Sequence, residues 1–92
     1  MSVQVKLMPL ISAVAGVSQV DLESVPRTVG EVLEKLTRLY PGLKDELFDE
    51  EARLDYLYQV TLNGEKLDRS RVMEEPVKDG DRLQVFAVLG GG

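Results

Sequence analysis

One amphipathic segment, residues 28–40, constrains the fold of this chain more than any other feature. Thr28 is followed three positions later by Glu31, the capping-box pattern in which each side chain satisfies a free backbone N–H of the first helical turn. Six apolar residues then recur at helical spacing: Val29, Val32, Leu33, Leu36, Leu39 and Tyr40. Pro41-Gly42 ends this helix. A helix with one apolar face must bury it against another element, so the rest of the chain has to supply a second layer.

Upstream of the helix, two segments alternate between apolar and polar residues as half-buried strands do. They are residues 3–7, stopped by Pro9, and residues 18–23. The stretch between them, Leu10 to Gly16, is predicted to be a short apolar connection. The sequence thus predicts an N-terminal hairpin.

Downstream, residues 43–57 are ambiguous between a further helical turn and a loop. Alternation then predicts three strands, at 58–62, 65–67 and 82–88, with turns at Asn63-Gly64 and Asp79-Gly80. The predicted fold class is therefore α+β with the order β-β-α-β-β-β. A mixed sheet of four to five strands packs on one main helix, and the first and last strands are candidates for its central pair.

Composition excludes several classes of chemistry. The 92 residues include no cysteine and no histidine, which removes disulfides, thiolate metal sites, cysteine nucleophiles and the usual neutral-pH base. The net charge of −5 argues against nucleic acid as a partner. A signal peptide or membrane span is not expected, so the predicted location is cytoplasmic. The acidic run from Asp45 to Asp55 is either a solvated surface or a surface that steers a basic partner.

The whole chain resembles the ubiquitin-like β-grasp fold and, more narrowly, the MoaD/ThiS group of sulfur carriers with the related archaeal small modifier proteins. No single motif carries this resemblance; it rests on the order and spacing of several motifs. The motifs are Thr28-Val29-Gly30-Glu31-Val32-Leu33, Tyr40-Pro41-Gly42-Leu43, Val60-Thr61-Leu62-Asn63-Gly64, Lys78-Asp79-Gly80-Asp81 and Phe86-Ala87-Val88-Leu89-Gly90-Gly91-Gly92. The resemblance implies one domain over residues 1–88 and a flexible glycine tail over 89–92.

The resemblance also implies that the chain is a carrier and not an enzyme. Gly92 would be adenylated and converted to a thiocarboxylate, while Gly90 and Gly91 would thread into another protein's active site. The chain would bind no cofactor or metal itself; ATP and Mg²⁺ would be used by an adenylyltransferase of the MoeB/ThiF type. The other implied partners are a sulfurtransferase and a large catalytic subunit such as molybdopterin synthase MoaE, with no nucleic acid and no membrane.

Three functions remain open on the sequence. The first is the small subunit of a molybdopterin-synthase-type system, or a sulfur carrier for thiamine, cysteine or another pathway. The second is a protein modifier attached to lysines through Gly92. The third is a ubiquitin-like interaction domain that is not conjugated, in which case the terminal glycines are a frayed end.

A surface for partner docking is predicted next to the tail, at Phe86, Val88 and Leu89. Strand alternation puts Phe86 and Val88 on the face opposite Leu83 and Val85. If Leu83 and Val85 face the helix, Phe86 lies on the open face of the sheet. The alternative is that Phe86 packs under the 43–57 segment as minor core.

Overall fold

Five strands form one mixed sheet in the computed structural model, which describes residues 2–24, 26–51, 53–55 and 57–88. The strands are β1 (Val3–Leu7), β2 (Gln19–Leu22), β3 (Tyr58–Leu62), β4 (Glu65–Lys66) and β5 (Arg82–Ala87). Their order across the sheet is β2-β1-β5-β3-β4. The predicted central pair is confirmed, since β1 and β5 lie side by side and run parallel, with Val5 opposite Leu83. The other pairs are antiparallel.

Three helices pack on one face of this sheet: α1 (Pro9–Ala15), α2 (Val29–Leu39) and α3 (Gly42–Leu47). The main helix, α2, begins as predicted, because the Thr28 side chain accepts a hydrogen bond from the Glu31 N–H at 3.2 Å. The helix α3 resolves the ambiguity at the start of the 43–57 segment in favour of a helical turn. A 3₁₀ turn at Val72–Glu74 packs against α2.

The prediction for residues 10–16, upstream of the main helix, is wrong. The segment assigned to an apolar connection is the helix α1, which starts with Pro9 at its first position and ends at Gly16 with φ of 82°. Proline in the first helical turn and a left-handed C-terminal residue are both ordinary helix boundaries. Proline therefore ends β1 and starts a helix at the same place.

The core lies between the sheet and the helices. It is built from the inward side chains of the strands, such as Val5, Val60 and Val85, and from the stripe of α2. Leu39 was predicted to belong to that stripe, but it is 53% exposed at the end of the helix. The opposite face of the sheet carries no helix from the part of the chain that is described.

Both predicted turns form. Asn63 and Gly64 take φ values of 51° and 87°, the pair of left-handed residues that a two-residue hairpin requires between β3 and β4. Gly80 also has φ of 87°. Across the described ranges, no helix has the length and apolar character needed to cross a membrane.

Candidate functional site

The position of β5 decides where in the fold Val88, the last described residue, lies. This strand is flanked by β1 on one side and β3 on the other, and its last residues lie beyond the end of β1. The Met8 N–H, just after β1, donates to the Val85 carbonyl at 3.0 Å. The Val88 N–H donates to the Leu57 carbonyl at 2.6 Å on the other side. The chain is thus held in the middle of the sheet edge up to Val88.

Phe86 lies on the open face of the sheet at this edge. It is opposite Gln59 in the β3–β5 register, whereas its neighbours Val85 and Ala87 face the core. Its ring is half-buried and lines a shallow hollow of about 450 Å³. The hollow is bounded by Met8, Pro9, Leu10, Gln84, Phe86 and Ala87. Of the two placements considered for Phe86, the structure has the open sheet face.

Apolar side chains continue around the hollow onto the surface. Leu10 is 48% exposed and Val88 is 43% exposed, and Val14 lies one turn of α1 beyond Leu10. Helix α1 carries no charged residue. The apolar surface is therefore wider than the sequence predicted, because the strand pattern located Phe86 and Val88 but not the contribution of α1. A four-residue spacing of Leu10 and Val14 was the only sequence signal for it.

The predicted carrier and threading residues, Gly90, Gly91 and Gly92, lie outside the described residues, as does Leu89. Phe86 and Val88 are the predicted site residues that the structure brings together.

Polar side chains cover the rest of the open face. A row crosses all five strands in register and consists of Gln19, Lys6, Gln84, Thr61 and Lys66. Gln84 joins this row to the apolar hollow, where its amide approaches the Met8 sulfur at 3.5 Å. Arg82 is on the same face, two residues before Gln84.

A hydrogen-bonded cluster fixes the opposite end of β5. The Asp81 carboxylate accepts from the Asn63 amide at 3.0 Å and from the Lys78 N–H at 2.7 Å. The Arg82 N–H donates to the Asn63 side-chain oxygen at 2.9 Å. The hydrogen bond from Asn63, with the Lys78 N–H and charge, holds the pKa of Asp81 below its usual value. This cluster ties the two predicted turns together and fixes the register of β5.

Tyr58 anchors β3, the strand that lies next to β5 on the side opposite β1. Its side chain is buried, and its hydroxyl donates to the Glu46 carboxylate on α3. Burial and this carboxylate raise the pKa of Tyr58 to about 12. The Arg69 guanidinium donates to the carbonyls of Tyr58 and Leu54 at 2.7 and 3.2 Å. These contacts fix the segment that holds Val88.

The site as described is suited to binding. It offers an apolar hollow, amide and basic side chains, and a strand that delivers the chain to its edge. No group of three or more metal-binding side chains occurs within residues 2–24, 26–51, 53–55 and 57–88. The titratable groups with shifted pKa values lie in turns or in the Tyr58–Glu46 pair, away from the hollow.

Together the sheet order, the main helix α2 and the central last strand define a ubiquitin-like β-grasp domain. The chain matches the ThiS family over residues 5–92 and belongs to it. No curated protein matches the chain at a significant level.

Solved structures agree with this fold. SAMP1 from Haloferax volcanii is 29% identical, with a TM-score of 0.85 and 100% of each chain covered. A chain of the Amycolatopsis orientalis BexX/CysO complex is also 29% identical, with a TM-score of 0.79 over 98% of this chain and 99% of that one. A putative molybdopterin converting factor subunit 1 from Pyrococcus furiosus is 25% identical, with a TM-score of 0.72 over 97% and 99%. The chain thus has the fold of ubiquitin-like sulfur carriers and modifiers.

Proposed function

We propose that this chain is a sulfur carrier whose reactive group is the carboxylate of Gly92. The observation that carries the proposal is the placement of β5, which holds the chain in the middle of the sheet edge up to Val88, beside an exposed apolar hollow. A domain built in this way presents whatever follows Val88 to a partner that docks on the hollow. The family match, which extends through residue 92, supports the same function.

The chemistry follows from what a carboxylate lacks. A carboxylate is resonance-stabilised and has no leaving group, so it is a poor acyl donor. In the proposed reaction one Gly92 oxygen attacks the α-phosphorus of ATP, and pyrophosphate leaves. Hydrosulfide, HS⁻, then attacks the acyl carbon, AMP leaves and the S–H proton is lost. If the sulfurtransferase delivers the sulfur as a persulfide, the acyl disulfide that forms first is reduced by a second thiol, which becomes part of a disulfide with the sulfurtransferase. The product is a thiocarboxylate on Gly92.

The tail supplies access and not catalysis. Glycine lacks a Cβ, so Gly90 and Gly91 allow close approach of backbone to the walls of a narrow channel. Three residues reach at most ~10 Å at ~3.3–3.6 Å each. ATP and Mg²⁺ belong to the activating partner, an adenylyltransferase of the MoeB/ThiF type. We expect these partners to meet the chain in the cytoplasm.

As the acceptor we propose the large catalytic subunit of a molybdopterin-synthase-type system. The likeness to a putative molybdopterin converting factor subunit supports this assignment. Carriage of sulfur to another pathway uses the same tail and the same surface. The Amycolatopsis structure, in which BexX and CysO form a complex, is an example of a similar fold seated on another protein.

Attachment to protein lysines is a second candidate function. It is favoured by one observation, the 29% identity and TM-score of 0.82 to small archaeal modifier protein 1 of Methanosarcina acetivorans. The activation step is shared, and only the nucleophile that displaces AMP differs.

Intact-mass analysis of the protein purified from its own host tests the proposal. We expect a fraction of the molecules to carry sulfur in place of one oxygen of the terminal carboxylate. A variant lacking Gly91 and Gly92 should lose this species, whereas Lys44→Ala, a surface change on α3, should keep it. Diglycine remnants on lysines of other proteins would support the modifier. If neither product is found and the truncation has no effect in the cell, the chain is an unconjugated interaction domain.

A further inference from the structure

The tight turn between β3 and β4 contains the only asparagine of the chain. Asn63 is followed by Gly64, and both residues are exposed. Among the residues that the structure describes, none accepts a hydrogen bond from the Gly64 N–H. A Cβ built on Gly64 would meet nothing within 4 Å, so the surroundings of this residue are open. An asparagine amide therefore stands next to a backbone nitrogen that is neither shielded nor hydrogen-bonded.

The Asn63 side chain, by contrast, is held at both of its polar atoms. Its oxygen accepts from the Arg82 N–H at 2.9 Å, and its nitrogen donates to the Asp81 carboxylate at 3.0 Å. The Asn63 N–H also donates to the Arg82 carbonyl at 2.8 Å. These three hydrogen bonds, the Asn63 contacts, hold the amide against the start of β5. The amide is free to turn toward the Gly64 nitrogen only when they open.

Opening of the turn disturbs little of the fold. The strand β4 has two residues, both exposed, and it pairs with β3 alone at the edge of the sheet. Segments with exposed hydrogen bonds and few buried contacts open at a small cost in free energy, without unfolding of the rest of the domain. The Asn63 contacts are therefore the main barrier between the amide and its neighbouring nitrogen.

We propose that Asn63 is a site of spontaneous deamidation, gated by its hydrogen bonds to Asp81 and Arg82. In this reaction the Gly64 nitrogen bonds to the carbonyl carbon of the Asn63 side chain. The C–N bond of the amide breaks, and ammonia leaves with the proton of the Gly64 N–H. Water then opens the resulting succinimide ring on either side of its nitrogen, and the products are aspartate and isoaspartate at position 63. The reaction involves no other protein, so it does not depend on the proposed function.

Neither product restores the Asn63 contacts. An aspartate at position 63 still accepts from the Arg82 N–H, but it has no proton to donate to Asp81. Its second oxygen takes the place of the amide nitrogen, 3.0 Å from the Asp81 carboxylate, where two negative charges repel. An isoaspartate routes the main chain through its side chain and does not fit a two-residue hairpin. Deamidation therefore removes the attachment that fixes the register of β5.

The turn at Asp79-Gly80 offers an internal comparison, because it also places an acidic or amide residue before glycine. Here the Gly80 N–H donates to the Ser2 carbonyl at 2.8 Å. The Asp79 carboxylate accepts from the Ser2 N–H at 2.7 Å. The nitrogen is thus occupied, and a carboxylate is a weaker electrophile than an amide. We expect succinimide formation at position 63 and much less at position 79.

Incubation of the purified full chain at mildly alkaline pH tests the proposal. Peptide mapping by mass spectrometry follows conversion at positions 63 and 79, and released ammonia is assayed separately. We expect conversion at position 63, slower in the folded chain than in urea, where the Asn63 contacts are absent. Asp81→Ala should speed the reaction of the folded chain about tenfold or more, because loss of a hydrogen bond to a charged group favours opening by that factor. Gly30→Ala, which changes the helix layer, should leave the rate unchanged.

Equal acceleration by the two variants would overturn the proposal, since global unfolding would then control the reaction. Equal rates in native buffer and in urea, no conversion of the folded chain, or conversion at position 79 as fast as at position 63 would overturn it as well. Urea midpoints check that each variant is folded.

Asn63→Asp, which has the sequence of one product, gives a second measurement that does not depend on reaction rates. Its free energy of unfolding should be lower than that of the natural chain at neutral pH. The difference should shrink as the pH falls, because the repulsion from Asp81 is lost when the carboxylates take up protons. A loss of stability that stays the same across the acid range would refute the effect assigned to the product.

Discussion

Gly30 lies in the first turn of α2, where the helix meets the backbone of the 3₁₀ turn. A Cβ at this position would lie 2.7 Å from the Met73 carbonyl oxygen. Alanine is favoured over glycine in a helix by about 1 kcal/mol, but overpacking against backbone costs about 1–3 kcal/mol. We expect Gly30→Ala to lower the free energy of unfolding by up to about 2 kcal/mol, the difference between the two effects, measured by urea denaturation.

Gly42→Ala is the matched control for this prediction. It is also a helical glycine, yet its Cβ would meet the Val14 side chain at 3.3 Å, and a side chain can shift. We expect its effect to be close to neutral. Equal destabilisation by the two substitutions would show that the close approach to Met73 is not what requires glycine at position 30.

Tyr58 makes stability depend on alkaline pH. Because its pKa is raised to about 12 from 10.0, the neutral phenol is favoured in the folded state. The resulting stabilisation is fully present below pH 10 and is lost as pH rises through about 12. Tyr58→Phe should cost about 1 kcal/mol at pH 7, the worth of the hydrogen bond to Glu46.

The measurement is the free energy of unfolding from pH 7 to 12 for both proteins. The two curves should converge as the tyrosine ionises. Curves that stay parallel across this range would show that the Tyr58–Glu46 contact is not the titrating element.

At the scale of the element, prediction from sequence succeeded where residue patterns are long or turns are specific. The Thr28 cap and the Asn63-Gly64 turn were located correctly because each depends on local backbone chemistry. Helix α1 was missed because seven uncharged residues show no polar face, and a proline that stops a strand can also start a helix. Leu39 continues the apolar spacing of α2, yet its side chain is 53% exposed, because residue spacing does not show where that face of the helix stops meeting the core.

The cluster at the start of β5 makes stability depend on acidic pH. The pKa of Asp81 is lowered, chiefly by the hydrogen bond from Asn63, so the carboxylate contributes stability above its unfolded pKa of about 3.8. That contribution is lost as pH falls through the folded pKa. Asp81→Asn should therefore be less stable than the natural chain at pH 7 and approach it below pH 3.8.

Thermal unfolding between pH 2 and 7 measures this dependence. Asp45→Asn, on the exposed surface of α3, provides the control, since it removes one carboxylate without touching the turn. If the thermal stability of Asp81→Asn falls with decreasing pH as steeply as that of the natural chain, the role assigned to the cluster is contradicted.

For the molecule as a whole, strand alternation assigned Phe86 and Val88 to one face of β5 but left two placements open for Phe86, and it could not define the surface around them. That surface is assembled from β5 and from Met8, Pro9 and Leu10, about 76 residues earlier in the chain. Gly90, Gly91 and Gly92 have no side chains that could form a periodic pattern. Their predicted role therefore came from the family resemblance. Residue spacing alone could not predict which distant segments of the chain meet in the fold, nor the family to which the chain belongs.

Phe86→Ala tests the docking surface with the fold kept intact. The ring is half-buried on the open face and outside the main core, so we expect a loss of stability of at most about 1 kcal/mol. Loss of an aromatic anchor from an interface commonly costs 2 kcal/mol or more, about a thirtyfold rise in the dissociation constant for the activating enzyme. Isothermal calorimetry or fluorescence titration measures that constant.

Leu39→Ala serves as the comparison, since it removes an exposed apolar side chain from the helix layer. It should bind the activating enzyme as the natural chain does. Weakening of the same size in both variants would place the docking surface elsewhere.

The central pairing of β1 with β5 also governs when this domain can form during synthesis. Gln4 pairs with Arg82, and Leu7 pairs with Val85, so the middle of the sheet cannot close until β5 has left the ribosome. Contacts so distant in sequence are formed late, because a large loop must first be closed. A chain whose synthesis stops early lacks its central strand. Only a molecule in which β5 has been synthesised can complete the middle of its sheet.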